Sequence, residues 1–233
     1  MSDFLQYINT GYKSICENVY IFDTIATQSL VNTNASEQYK IINCYYKAVN
    51  LKKEKKLISD TIYAFNECVE YIENITDNNF KQRFNNILYE CYINLALLNT
   101  QANDTCKELL KKYYKLANNI FPERSEPYFY YGIYCNKIEH YEDAYDNLII
   151  SKNKSHNDIK ILHPTSQYTA YGLYTNTELI HCCFKLKRFD ETISYITEII
   201  NHPDFRNSQQ QLLSLIQNIN QSKMNERSMY VLD

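Results

Sequence analysis

The residues with the chemistry to ligate metal or attack a substrate are five histidines and eight cysteines. His140, His156, His163, His181 and His202 include no His-x-x-x-His pair, so zinc binding from one helix face has no basis. The run His181-Cys182-Cys183 sets three ligand types side by side, but neighbouring helical residues point in different directions and cannot meet at one ion. Cys16, Cys44, Cys68, Cys91, Cys106, Cys135, Cys182 and Cys183 contain no Cys-x-x-Cys pair, and most fall on apolar helix faces. They are expected to be reduced core residues, neither disulfides nor a zinc site.

Acids and glycines offer no more. No Asp-x-Asp occurs, and three isolated glycines, Gly11, Gly132 and Gly172, cannot build a phosphate-cradling loop. Glu142-Asp143, Glu123 and Glu126 lie close in sequence, but nothing beside them suggests a raised pKa. The lysines at 107, 111 and 115, with Lys112, Tyr113 and Tyr114, could touch phosphates while tyrosines stack on bases. With 24 basic against 27 acidic side chains, a solvated helix face is the expectation instead. The sequence therefore predicts no catalytic residue, no metal and no cofactor, and disfavours a nucleic-acid partner.

The elements that would position any site are helical. Only 3 glycines and 4 prolines occur in 233 residues, which excludes folds that need glycine at turns, bulges and phosphate loops. Ile58, Ile62, Phe65, Val69 and Ile72 have helical spacing, as do Phe84, Leu88, Cys91, Leu95 and Leu98. The short polar segment Glu73 to Asn79 predicts that these two helices pair as a hairpin. Further helices are expected at 3–18, 20–31, 36–50, 103–120, 126–138, 141–152, 168–186, 189–201 and 208–221. Met1-Ser2-Asp3-Phe4-Leu5-Gln6 has no basic stretch leading into an apolar run, and nothing is long and apolar enough to span a bilayer. A cytoplasmic chain with no membrane partner is expected.

Serial hairpins call for a repeat search. From Ser125, the residues Tyr128, Tyr131, Gly132, Cys135, Tyr141, Ala144, Leu148 and Ser151 occupy positions 4, 7, 8, 11, 17, 20, 24 and 27 of a thirty-four-residue frame. This resembles a tetratricopeptide repeat, in which positions 8 and 20 are small so that two helices can approach. Leu97, Leu110, Tyr114, Ala117 and Pro122 fit an earlier unit, and Leu179, Cys183, Phe189 and Ile196 a later, degenerate one.

The run Phe121-Pro122-Glu123-Arg124-Ser125-Glu126-Pro127-Tyr128, then Tyr131-Gly132-Ile133-Tyr134 and Tyr141-Glu142-Asp143-Ala144-Tyr145, resembles the helical tail behind the catalytic domain of some family-2 glycosyltransferases. Tyr168, Tyr174, Glu178-Leu179, Cys182-Cys183, Arg188-Phe189 and Asn201-His202-Pro203 follow the order of that tail. The resemblance implies an accessory module without its catalytic half. Independently, Pro127 suits a first helical turn, and Ser125 or Glu126 could cap it. Arg124 is expected to make an ion pair with a neighbouring repeat.

These readings predict an all-α solenoid of helical hairpins, an α-α superhelix. Residues 1–80 form unassigned hairpins; repeats lie at about 91–124, 125–158 and 173–206. Residues 152–167 form an inserted loop, 207–221 a capping helix and 222–233 a frayed tail. The resemblance to tetratricopeptide repeats implies a concave groove lined by Phe129, Ile133, Asn136 and Lys137, then Thr177, His181, Phe184 and Lys185. A peptide or helix would lie there, giving a non-catalytic scaffold for protein–protein interaction. The alternatives are an accessory subunit or divergent remnant of a glycosyltransferase in glycan assembly, and an RNA-binding helical repeat.

Overall fold

The computed structural model describes residues 35–101, 107–162 and 166–229. Among them all regular structure is helical and no strand occurs, which is the all-α class expected. The helices are α1 (Ala35–Lys53), α2 (Ile58–Glu73), α3 (Asn78–Gln82), α4 (Asn85–Asn99), α5 (Lys107–Ile120) and α6 (Glu126–Lys137). They continue as α7 (Tyr141–Lys152), α8 (His156–Leu162), α9 (Thr175–Lys185), α10 (Phe189–Ile199) and α11 (Gln209–Met229). Helices expected at 3–18 and 20–31 lie outside the described residues.

Packing follows the chain. Helices pair as α1 with α2, α4 with α5, α6 with α7 and α9 with α10. Each pair then meets the next through α2 and α4, α5 and α6, or α7 and α9. The expected hairpin of α2 with α4 is thus a contact between two pairs, because each helix has a closer neighbour and α3 stands between them.

Three of these hairpins share one way of stopping the first helix. Lys55, Glu139 and Lys187 take positive φ of 53°, 62° and 58°. After each, a backbone N–H reaches back five residues: Lys56 to Leu51, His140 to Cys135 and Arg188 to Cys183, at 3.1, 2.9 and 2.8 Å. The left-handed residue itself bonds three residues back, so all three stops are Schellman motifs. Glycine usually fills that site because it lacks a Cβ, and this chain uses charged residues instead.

The second helices share a buried row. Leu110, Tyr114 and Ala117 on α5, Ala144, Leu148 and Ser151 on α7, and Thr192, Ile196 and Ile199 on α10 are all buried. Each trio has spacing 0, 4 and 7, and so does buried Thr61, Phe65 and Cys68 on α2. The hairpin before residue 80 therefore carries the same pattern, which its sequence did not announce. On α6, the first helix of the pair with α7, a Cβ at Gly132 would lie 2.6 Å from Leu148 Cγ and 3.4 Å from the Ala144 carbonyl oxygen. Gly132 is what lets α6 and α7 approach.

Other expectations need correction. Residues 168–174 are not helix but two 3-10 turns, Tyr168–Ala170 and Gly172–Tyr174, broken where Gly172 takes φ of 58°. The insertion is not an open loop: it holds α8, whose Ile159 is buried, and His156 contacts Ser166, Tyr168 and Tyr171. The last helix runs to Met229, past the 221 expected. On α2, Phe65 and Ile72 are buried but Ile58 is exposed. α4 is buried nearly all round, from Leu88 to Leu98, as a central helix must be.

Candidate functional site

The residues expected to line a groove divide between interior and surface. Phe129 and Thr177 are buried, Asn136 is 6% exposed, and these three offer no open face. Ile133, His181 and Phe184 are half-buried, while Lys137 and Lys185 are exposed. On α6, Ile133, Asn136 and Lys137 share one face, and on α9 Glu178, His181 and Lys185 do the same. The two faces meet where Asn136 Nδ2 donates to the Glu178 carbonyl at 3.2 Å and to Glu178 Oε2 at 3.0 Å.

Around that seam the charges are uneven. Burial pushes the Glu178 carboxyl above its ordinary value, against the Asn136 hydrogen bond. Burial and then the Lys185 ammonium lower the His181 imidazole, with Glu139 opposing. The His181 ring lies 5.8 Å from the Tyr141 ring, and Lys185 Nζ stands 5.8 Å from the same ring. Two buried polar atoms at the seam, Asn136 Oδ1 and His181 Nδ1, have no hydrogen-bond partner. Sequence reasoning named Asn136 and His181 but missed Glu178 as their neighbour, since forty-two residues separate it from Asn136 and no short motif links them.

The Pro122–Pro127 signature forms a second polar cluster, deep in the molecule. Arg124 is 1% exposed, stacks 3.9 Å over the Tyr89 ring, and pairs with Glu126 at 2.9 Å and Glu90 at 3.5 Å. Glu90 belongs to α4, so the expected ion pair to a neighbouring unit is present. Glu126 also accepts from Tyr89 at 3.2 Å, Tyr171 at 2.9 Å and the Gln167 backbone N–H at 2.7 Å. Burial alone would raise the Glu126 carboxyl, but Arg124 first, then the Gln167 backbone N–H and its own backbone N–H, hold it below its ordinary value. The expected Ser125 cap of α6 does not form, because its hydroxyl is held by Ser151 and the Ala170 carbonyl.

The remaining candidates resolve as scaffolding. Cys44, Cys68, Cys91, Cys135, Cys182 and Cys183 are buried free thiols, and burial pushes Cys135 up to about 11 and Cys44 up to about 12. Such thiols are poor nucleophiles. Lys107 reaches Asp143 at 2.7 Å and His140 at 2.9 Å, so the lysine stripe begins as a clasp onto α7, while Lys111 and Lys115 stay in solvent. Among the described residues no His, Cys, Asp or Glu cluster could hold a metal ion. No described helix is long and apolar enough to cross a membrane. Compared with protein-family models, curated proteins and solved structures, the chain matches none.

Proposed function

We propose that the chain is a non-catalytic helical scaffold, a solenoid of tetratricopeptide-like hairpins, that holds a peptide segment or helix of another protein. The observation that carries the reading is the seat of Gly132 against Leu148 and Ala144, with Gly132 and Ala144 at the two positions where such a hairpin needs close approach. The buried 0, 4, 7 row on α2, α5, α7 and α10 extends the same packing rule along the chain. Stacked hairpins of this kind leave their first helices lining one surface. There Ile133 and Phe184 supply apolar contact, and Lys137, Lys185 and His181 supply polar anchors at the edge.

The test is a photo-crosslinking amino acid placed singly at Lys137, Lys185 or, as control, exposed Lys56. Adducts of one shared protein from 137 and 185, absent from 56, are the expected outcome. Equal labelling from all three positions, or none, would remove the groove. Recovery of a glycosyltransferase as the shared adduct would identify the partner class as the one the tail resemblance implies.

A further inference from the structure

The turn between α1 and α2 breaks two local rules at once. Every residue from 52 to 60 is exposed, and within that run Leu57 is 70% exposed and Ile58 36%. Leu57 also holds the N-cap of α2, where its side chain makes no capping hydrogen bond. Serine, threonine, aspartate or asparagine there would close an open helix N–H, and leucine cannot. Two residues earlier, Lys55 takes a left-handed φ of 53° that glycine fills without strain. The chain gives up stability at both positions, and Leu57 recovers little of it by packing, as is expected where a surface serves function.

Charge is concentrated at the same place. Lys52, Lys53, Lys55 and Lys56 stand in the exposed run against only Glu54 and Asp60, in a chain whose formal net charge is −3. Glu54 lies 3.8 Å from Lys56 with both side chains more than half exposed, a pair too well solvated to neutralise the turn. Lys52 reaches Asn94 on α4 at 2.5 Å, which braces the turn against the next pair of helices.

We propose that this turn rests on a phospholipid surface bearing anionic headgroups, with Leu57 and Ile58 at the acyl boundary and the lysines among the headgroups. An apolar tip flanked by cations matches a layer that is anionic outside and apolar beneath. A rigid protein partner would need a pocket shaped to the tip, whereas lipid closes around it. Such a contact needs no spanning helix, so the lack of one among the described residues does not bear on it. It is reversible on its own, and it is independent of the groove proposed above.

Flotation of the full-length chain with vesicles of equal parts phosphatidylserine and phosphatidylcholine, against phosphatidylcholine alone, tests this. Binding to the first, falling as salt rises, and none to the second is expected. Lys55→Gln with Lys56→Gln weakens it about tenfold or more. Leu57→Asn weakens it about tenfold while raising Tm, because asparagine supplies the missing cap. The chain has no tryptophan, so Leu57→Trp gives a single fluorophore whose emission shifts to the blue on the anionic vesicles. No binding to those vesicles, or binding without the blue shift, would overturn the proposal. Equal binding of soluble polyglutamate that ignores Leu57→Asn would overturn it too, and would assign the lysines to an acidic protein. A Leu57→Asn chain that melts below the wild type would show that Leu57 serves packing, and the lipid contact would fall with it.

Discussion

Arg124 carries a full charge into the interior, and the order of its contacts shows why it is tolerated there. Its guanidinium faces two carboxylates and a tyrosine ring, which tie α4 to the start of α6. Removing it strands Glu126 and Glu90 in a poorly solvated site. Arg124→Met is expected to cost about 3–5 kcal/mol in urea unfolding, and Arg124→Met with Glu126→Gln to recover part of that loss. Because the folded Glu126 carboxyl sits below its ordinary 4.5, its contribution is present above that pH and is lost as pH falls through the lowered folded value. The double variant lacks this loss. Glu178 has the opposite sign: its folded pKa is raised, so its contribution is most favourable below 4.5 and is lost as pH rises through the folded value. Glu178→Gln should therefore raise Tm at neutral pH and leave it unchanged in acid, as thermal melts at the two pH values would show.

At the scale of the element, the Schellman stops are where this chain accepts strain. A residue with a Cβ held at positive φ costs about 1 kcal/mol relative to glycine, part of which glycine returns as unfolded-state entropy. Lys55→Gly, Glu139→Gly and Lys187→Gly are each expected to stabilise by a few tenths to about 1 kcal/mol. Chemical denaturation of the single and triple variants measures it. Gly132→Ala runs the other way, since the new Cβ would fall 2.6 Å from Leu148 Cγ; a loss of about 1–3 kcal/mol is expected, reduced when Leu148 is also Ala. These two cases also mark what the sequence makes legible. Gly132 stood out because it is rare and sits in register with Ala144 and Leu148, so its role could be read directly. The stops could not be read, because Lys55, Glu139 and Lys187 have no turn chemistry that announces them. Residues 168–174 looked continuous with α9 because their tyrosines keep helical spacing, and only Gly172 betrays the break. At the candidate site, Lys137 and Lys185 follow only from the resemblance to tetratricopeptide repeats, whereas Glu178 and the Glu126 cluster depend on contacts between distant units that no local pattern encodes.

For the described residues as a whole, packing passes from each pair of helices to the next, so the last pair has an outer face to be covered. At the C-terminal end α11 lies on α10, burying Leu212 and Ile219 completely, while Lys223 pairs with Asp190 at the start of α10. Burying those two side chains is worth about 1.5–3 kcal/mol each, a large share of the roughly 5–15 kcal/mol by which a domain is stable. In a stack held by nearest neighbours, the loss falls first on the unit left uncovered, here α9 and α10. Deleting 209–233 is therefore expected to lower Tm, increase binding of a hydrophobic dye and promote association in light scattering. Leu212→Ser with Ile219→Ser, which keeps the helix but not its apolar face, should reproduce the effect in weaker form. A shortened chain that stays monomeric with an unchanged Tm would mean that α11 covers nothing the stack requires, and the capping role would fall with it.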